Sequence, residues 1–184
     1  MEKLKNLIQS FEPSCEQEEK DKDYFLSFLS SFNNVLTREN IFGHLSSSAF
    51  VLNEDKTKIL LVYHNIYNGY IFPGGHLDGD ADALAVALKE VEEESGIKAK
   101  PLSEKLFSVW TGPVAAHIKR GKYVSAHTHL DLVWLLHAKE DKPKIKPDEN
   151  KSVIWADINE INKSIKLVDF FVPVFLNFKN KLMK

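Results

Sequence analysis

Residues 73–97 read Pro-Gly-Gly-His-Leu-Asp-Gly-Asp-Ala-Asp-Ala-Leu-Ala-Val-Ala-Leu-Lys-Glu-Val-Glu-Glu-Glu-Ser-Gly-Ile, a glycine-rich loop set directly before a helix that crowds carboxylates onto one side. With Glu90 as reference and about 100° per residue, Glu93 and Glu94 fall roughly 60° and 40° to either side of it, while Glu92 points elsewhere. Like charges three and four residues apart destabilise a helix by about 0.2–0.5 kcal/mol per pair, so this strip works against its own folding. Taken alone, Glu92-Glu93-Glu94 reads as a solvated acidic face. A hard divalent cation, Mg²⁺ or Mn²⁺, would also offset the repulsion, because such ions take oxygen ligands and retain several waters.

The flanking residues give the helix its limits. Leu84, Ala87, Leu88 and Val91 form a second stripe roughly 100° from the acids, so one side is buried and the carboxylates stand at the edge of that contact. The predicted helix runs from about Ala81 to Ser95. Asp80 is the expected N-cap, Asp82 lies in a first turn that favours anions, and Gly96 takes the left-handed position that ends the helix. Pro73, Gly74, Gly75 and Gly79 allow backbone to approach a ligand just ahead of the helix N-terminus.

This combination resembles the Nudix hydrolase family, MutT-like proteins whose signature is Gly, five residues, Glu, seven residues, then Arg-Glu-aliphatic-x-Glu-Glu-x-Gly-aliphatic. Gly75 takes the first position and Lys89-Glu90-Val91-Glu92-Glu93-Glu94-Ser95-Gly96-Ile97 takes the core. Two positions depart from the pattern: Ala81 stands where the isolated Glu belongs, and Lys89 replaces the Arg. In the family these two groups help orient the metal-binding acids, and Lys89 keeps the charge without the planar fork that holds two oxygens at once. Asp80 and Asp82 are the nearby carboxylates that could substitute for the missing one.

The resemblance implies an α/β fold, a Nudix-type α/β/α sandwich around a mixed sheet, carrying here an added N-terminal helical segment. It also implies hydrolysis of a nucleoside diphosphate linked to another group. Glu90, Glu93, Glu94 and the Gly75 carbonyl would be the metal ligands, with Lys89 balancing the acids. The general base is left open between Glu93 or Glu90 on the helix and Glu140, Asp141 or Glu149 in a later loop. The losses at Ala81 and Lys89 leave a second reading, a nucleotide-binding or regulatory module that keeps the fold without hydrolysis.

At 184 residues, 43% hydrophobic and 27% charged, the chain is of a size and balance expected for one core-forming unit. A net charge of −2 and the lack of a basic stripe argue against nucleic-acid polymers as partners. The expected partner is a small nucleotide diphosphate, with a homodimer left open. The apolar runs 132–136 and 170–176 are too short to span a bilayer, and a single cysteine, Cys15, fits a reducing compartment, so a cytoplasmic location is expected.

Residues 1–34 read as two helical stripes broken at Pro13, and residues 1–42 are expected to form an extension packed on a domain at 43–184. Strands are predicted at 44–52, 58–64, 70–72, 105–111, 114–119, 123–138 and 152–155, with a turn at Arg120-Gly121-Lys122. A closing helix begins at Asp169 as N-cap, with Pro173 in its first turn. On the long strand, period-two geometry places His127, His129 and Asp131 on one face, and Leu130, Leu132 and Trp134 on the other. That polar face either hydrogen-bonds within the sheet or borders the cleft, where it would meet substrate phosphates or a further metal. Gly74 and His76 join it as expected substrate contacts. Tyr67, Tyr70, Phe72 and Trp110 are aromatic groups that could pack or stack on a ring. His44, His64, His117 and His137 have no constellation around them in sequence and are read as surface or strand residues.

Overall fold

The computed structural model describes residues 1–119, 121–148 and 150–183; Arg120, Glu149 and Lys184 lie outside the described residues. The chain runs through helices α1 (Glu2–Gln9) and α2 (Glu16–Ser31), then strands β1 (Gly43–Leu52), β2 (Lys58–His64), β3 (Gly69–Ile71) and β4 (Gly74–His76). Helix α3 (Ala83–Ser95) follows, then β5 (Lys100–Pro101), β6 (Ser108–Val114), β7 (His117–Lys119), β8 (Lys122–Val124), β9 (His127–His137) and β10 (Asn150–Asp157). A 3₁₀ turn at Asp169–Phe171 leads into α4 (Val172–Leu182).

Strand β1 is the axis of the sheet. It pairs parallel with β9 along its whole length, and antiparallel with β2 and β4 on its other side. β10 continues the sheet beyond β2, while β6 and β5 pair with β9. Because side chains alternate along a strand, β1 supplies two cores. Leu45, Ala49 and Val51 pack with α1, α2 and α3, while Phe50 and Leu52 pack with Phe171, Val174, Phe175 and Phe178 of the C-terminal segment. Helices thus cover both faces of a mixed sheet, the α/β/α layering expected from the sequence.

Several local expectations are corrected. The helix starts two residues later than predicted: Asp82 is the N-cap, accepting from the Ala85 N–H at 3.1 Å, and Asp80 accepts from the Asp82 N–H at 2.8 Å. Both carboxylates are committed to capping the helix entrance. Gly96 ends α3 at φ 70° as expected. Gly74–His76, read as loop, is a short strand because glycine lets its backbone lie flat against Ser46–Ser48. The long strand is interrupted after Val124, and β7–β8 form a separate ribbon in which Ile118 and Tyr123 are exposed and join neither core. Asp169 makes no side-chain cap; it opens the 3₁₀ turn, and Pro173 sits in the first turn of α4.

Candidate active site

The face of the sheet shared with α4 changes character along β1. Phe50 and Leu52 are apolar, whereas Ser48, Ser46 and His44 successively turn it polar. Strand register extends the gradient sideways, since His44 lies beside His129 and Ser46 lies between Asp131 and His76. At this polar end a cleft of about 600 Å³ opens, walled by Glu90 and Glu94 from α3, Gly74–His76 from β4, and His129 and Asp131 from β9.

Two of the three helix acids face this cleft. Glu94 is 4% exposed, and its Oε2 accepts from the Gly74 N–H at 3.0 Å. Its burial follows from its place three residues after the fully buried Val91, on a helix face that includes Ala83, Val86 and Ala87 as well as the predicted stripe. Glu90 stands against Gly75: a Cβ at that glycine would fall 2.4 Å from the Glu90 Cδ and Oε1. Only a residue without a side chain allows backbone and carboxylate to approach so closely. Glu93 lies at the rim, 42% exposed, 3.5 Å from the Lys89 Nζ and 3.9 Å from the Lys146 Nζ. Lys89 therefore partners Glu93 within the helix, at a spacing of four residues.

Asp131 forms the floor of the cleft and is 4% exposed. It accepts from Ser46 Oγ at 2.9 Å, from Trp110 Nε1 at 2.8 Å and from Ser48 Oγ. Burial pushes its pKa up, against the lowering effect of these three donors. Trp110 thus serves as a packed donor, while Tyr67, half-buried on the wall, has its phenol pushed up to about 12 by burial. Phe72 packs edge-on against Phe50, and Tyr70 against Tyr63.

Imidazoles gather at the other side. His76 Nε2 lies 3.1 Å from His129 Nε2, which lies 3.3 Å from His127 Nε2. The His44 ring centroid is 4.8–5.0 Å from those of His76, His127 and His129. Burial pushes the pKa of His76 and of His129 down to about 2 and that of His44 to about 4. His44, set aside in the sequence, belongs here because β1 and β9 pair in parallel, and neither strand alone signals that register. Arg38 and Asp148 also line the cleft without having been singled out; Arg38 forms a two-pronged pair with Asp78, at 2.8 and 2.5 Å. Of the loop carboxylates expected as bases, Glu140 accepts from Asn53 at 3.0 Å and from Lys58, beyond the far end of β1. Asp141 lies 3.5 Å from Lys139.

The mixed sheet, the glycine strand and the carboxylate helix together define a class, and comparison with known proteins gives it a name. The NUDIX domain family model matches residues 43–176, and the chain belongs to that family. A protein of Lactococcus lactis subsp. cremoris named "Probable DHNTP pyrophosphohydrolase" is 30% identical over 101 residues, covering 55% of this chain and 58% of that protein. The chain thus spans little more than half of that relative's length. The NUDIX domain of Shewanella oneidensis NrtR, complexed with ADP ribose, superposes with a TM-score of 0.56 at 14% identity, over 85% of this chain and 97% of that one. A NUDIX-family hydrolase from Clostridium perfringens gives 0.55 at 18% identity, over 77% and 98%. At these identities the likeness is one of fold. Among the described residues, no helix is long and apolar enough to cross a membrane.

Proposed function

We propose that this chain hydrolyses the phosphoric anhydride bond of a nucleoside diphosphate linked to a second moiety, with Mg²⁺ or Mn²⁺ held at the α3 edge. One observation carries the reading: Glu90 and Glu94 are set against Gly75 and Gly74 on the wall of a cleft large enough for a nucleotide. The donor set fits a hard ion. Among the described residues it offers carboxylate oxygens and a nearby glycine backbone. Glu90, Glu94 and the Gly75 carbonyl would hold the ion, with Glu93 joining from the rim by giving up its lysine pairs. When bound, such an ion neutralises diphosphate charge and lowers the pKa of a ligated water.

The remaining roles belong to positioning. The Gly74 N–H fixes one oxygen of Glu94 and so aims the other. Lys89 and Lys146 hold Glu93 in place until it is needed. Water attacks phosphorus, the anhydride P–O bond breaks, and the displaced phosphate oxygen departs with the bonding electrons. The proton of that water passes to a carboxylate, a role assigned to Glu90 or Asp148, which line the cleft together with Glu94 and Asp131. His76, His129 and Asp131 face the α3 edge from the opposite side of the cleft, Gly74 lies beside Glu94 and His127 lines the adjoining cavity, and these five are the residues assigned to the substrate. Residues 1–42 act as an extension of the domain at 43–184: Phe25 and Phe28 of α2 are buried in the same core as β1 and β9.

The test is a panel of nucleoside diphosphate derivatives, including sugar nucleotides, ADP-ribose, dinucleotides, coenzyme A and modified nucleoside triphosphates. Each is assayed with Mg²⁺ and with Mn²⁺ in ¹⁸O-water, with products read by mass. Metal-dependent cleavage that places one ¹⁸O on a phosphate fragment is expected, and the fragment pair identifies the bond. Binding without cleavage across the panel would instead make the chain a non-hydrolytic nucleotide module.

A further inference from the structure

We infer that His44, His127 and His129 form a second metal site, distinct from the glutamate edge, that takes a borderline divalent ion of the zinc class. One ring nitrogen from each of the three lies within 4.8 Å of the other two. Around a tetrahedral ion with metal–nitrogen bonds of about 2.0–2.1 Å, neighbouring nitrogens stand about 3.4 Å apart. The His127–His129 separation of 3.3 Å already matches that edge.

The tautomers point the same way. His127 Nδ1 donates to the Ser125 carbonyl at 2.8 Å, and His44 Nδ1 faces the Asn40 carbonyl at 3.5 Å. A ring that carries its proton on Nδ1 presents a bare lone pair at Nε2, the form in which a neutral histidine binds metal while its other nitrogen is anchored. His44 is 4% exposed, and its Nε2 has no hydrogen-bond partner among the described residues. An unsatisfied buried nitrogen costs about 1–3 kcal/mol, so this orientation calls for a ligand.

Protons alone do not satisfy the cluster. His129 Nε2 lies within hydrogen-bonding distance of two other Nε2 atoms, those of His76 and His127. A neutral imidazole nitrogen either donates one proton or accepts one, so one of the two contacts must lack its hydrogen. A cation held by the lone pairs of His127 and His129 accounts for their 3.3 Å approach with no hydrogen between them. The all-imidazole donor set suits zinc-class ions over Mg²⁺. With three protein ligands one coordination position is left, as in catalytic zinc sites. The adjoining cavity of about 370 Å³, lined also by Arg38 and Lys119, suits an anionic oxygen there.

The test uses the full chain stripped by chelator and titrated calorimetrically with Zn²⁺ in excess Mg²⁺, beside His127→Ala, His129→Ala and Glu94→Gln. The expected result is one equivalent of Zn²⁺ in the parent chain, affinity weakened at least about 100-fold in either histidine variant, and a change below about twofold in Glu94→Gln. Co²⁺ in place of Zn²⁺ should give visible absorption of a tetrahedral ion, lost in His127→Ala. Because His127 is half-exposed, that variant is expected to fold, and circular dichroism checks it. No Zn²⁺ uptake, uptake indifferent to both histidines, or uptake abolished by Glu94→Gln would each overturn the site. The outcome does not depend on whether the chain proves to be a hydrolase.

Discussion

The α3 edge and the histidine cluster line adjoining cavities that share His76 and His129, but are built by different means. The edge is local: a glycine strand and one helix, with at most 20 residues between the Gly74 N–H and the Glu94 carboxylate it meets. The cluster is assembled from β1, β4 and β9, with His76 and His129 53 residues apart in sequence. One offers hard oxygens and the other borderline nitrogens, so the two proposed sites would sort two cations by chemistry. The difference teaches that donors a few ångströms apart can be of unlike chemical class.

The sharpest way to break this comparison is at Glu94. Glu94→Gln should lower metal-dependent turnover on the order of 1,000-fold while circular dichroism stays unchanged, since the amide keeps the shape but not the charge. Comparable losses in every variant tested would mean that the effect is one of folding. Lys181 supplies the control. Its Nζ lies 2.5 Å from the fully buried Glu18 and 2.5 Å from the Phe107 carbonyl, joining α4, α2 and the segment before β6. Breaking a buried pair leaves a charge without compensation, so Lys181→Ala should cost about 3 kcal/mol in denaturant unfolding. Mg²⁺ and Zn²⁺ affinities, measured where the variant is still folded, should not move.

Smaller changes sharpen the picture. Gly75→Ala should weaken Mn²⁺ affinity about tenfold, because the new methyl group displaces the Glu90 carboxylate it would contact. Zn²⁺ affinity should be unaffected, and a loss of both would merge the two sites into one. Lys89→Ala should change turnover by less than about twofold, since its pair with Glu93 is an exposed one. A larger effect, read as kcat, would give Lys89 a direct part in the chemistry.

The two regions were also unequally legible in the sequence. Helical period is a local property, so the placement of Glu90 and Glu94 on one strip and the end of α3 at Gly96 could be read from spacing. The division within the strip could not: Glu94 is buried and Glu93 lies at the rim because of how Val86, Ala87 and Val91 seat the helix on the sheet. Asp82 rather than Asp80 is the cap, because Asp82 accepts from the Ala85 N–H inside the helix while Asp80 accepts from the Asp82 N–H ahead of it, and residue type alone does not choose between two acids two positions apart. The face carrying His127, His129 and Asp131 followed from alternation alone. That His44 and His76 converge on it depends on pairing between distant strands, which no local pattern encodes.

The most direct test of the central claim is electron paramagnetic resonance of Mn²⁺ added to the Zn²⁺-treated chain and to the Glu90→Gln/Glu94→Gln double variant. Bound Mn²⁺ in the first and free Mn²⁺ in the second are predicted. Equal binding in both would show that the carboxylates of α3 are not what holds the ion, and the hydrolase reading would lose its support.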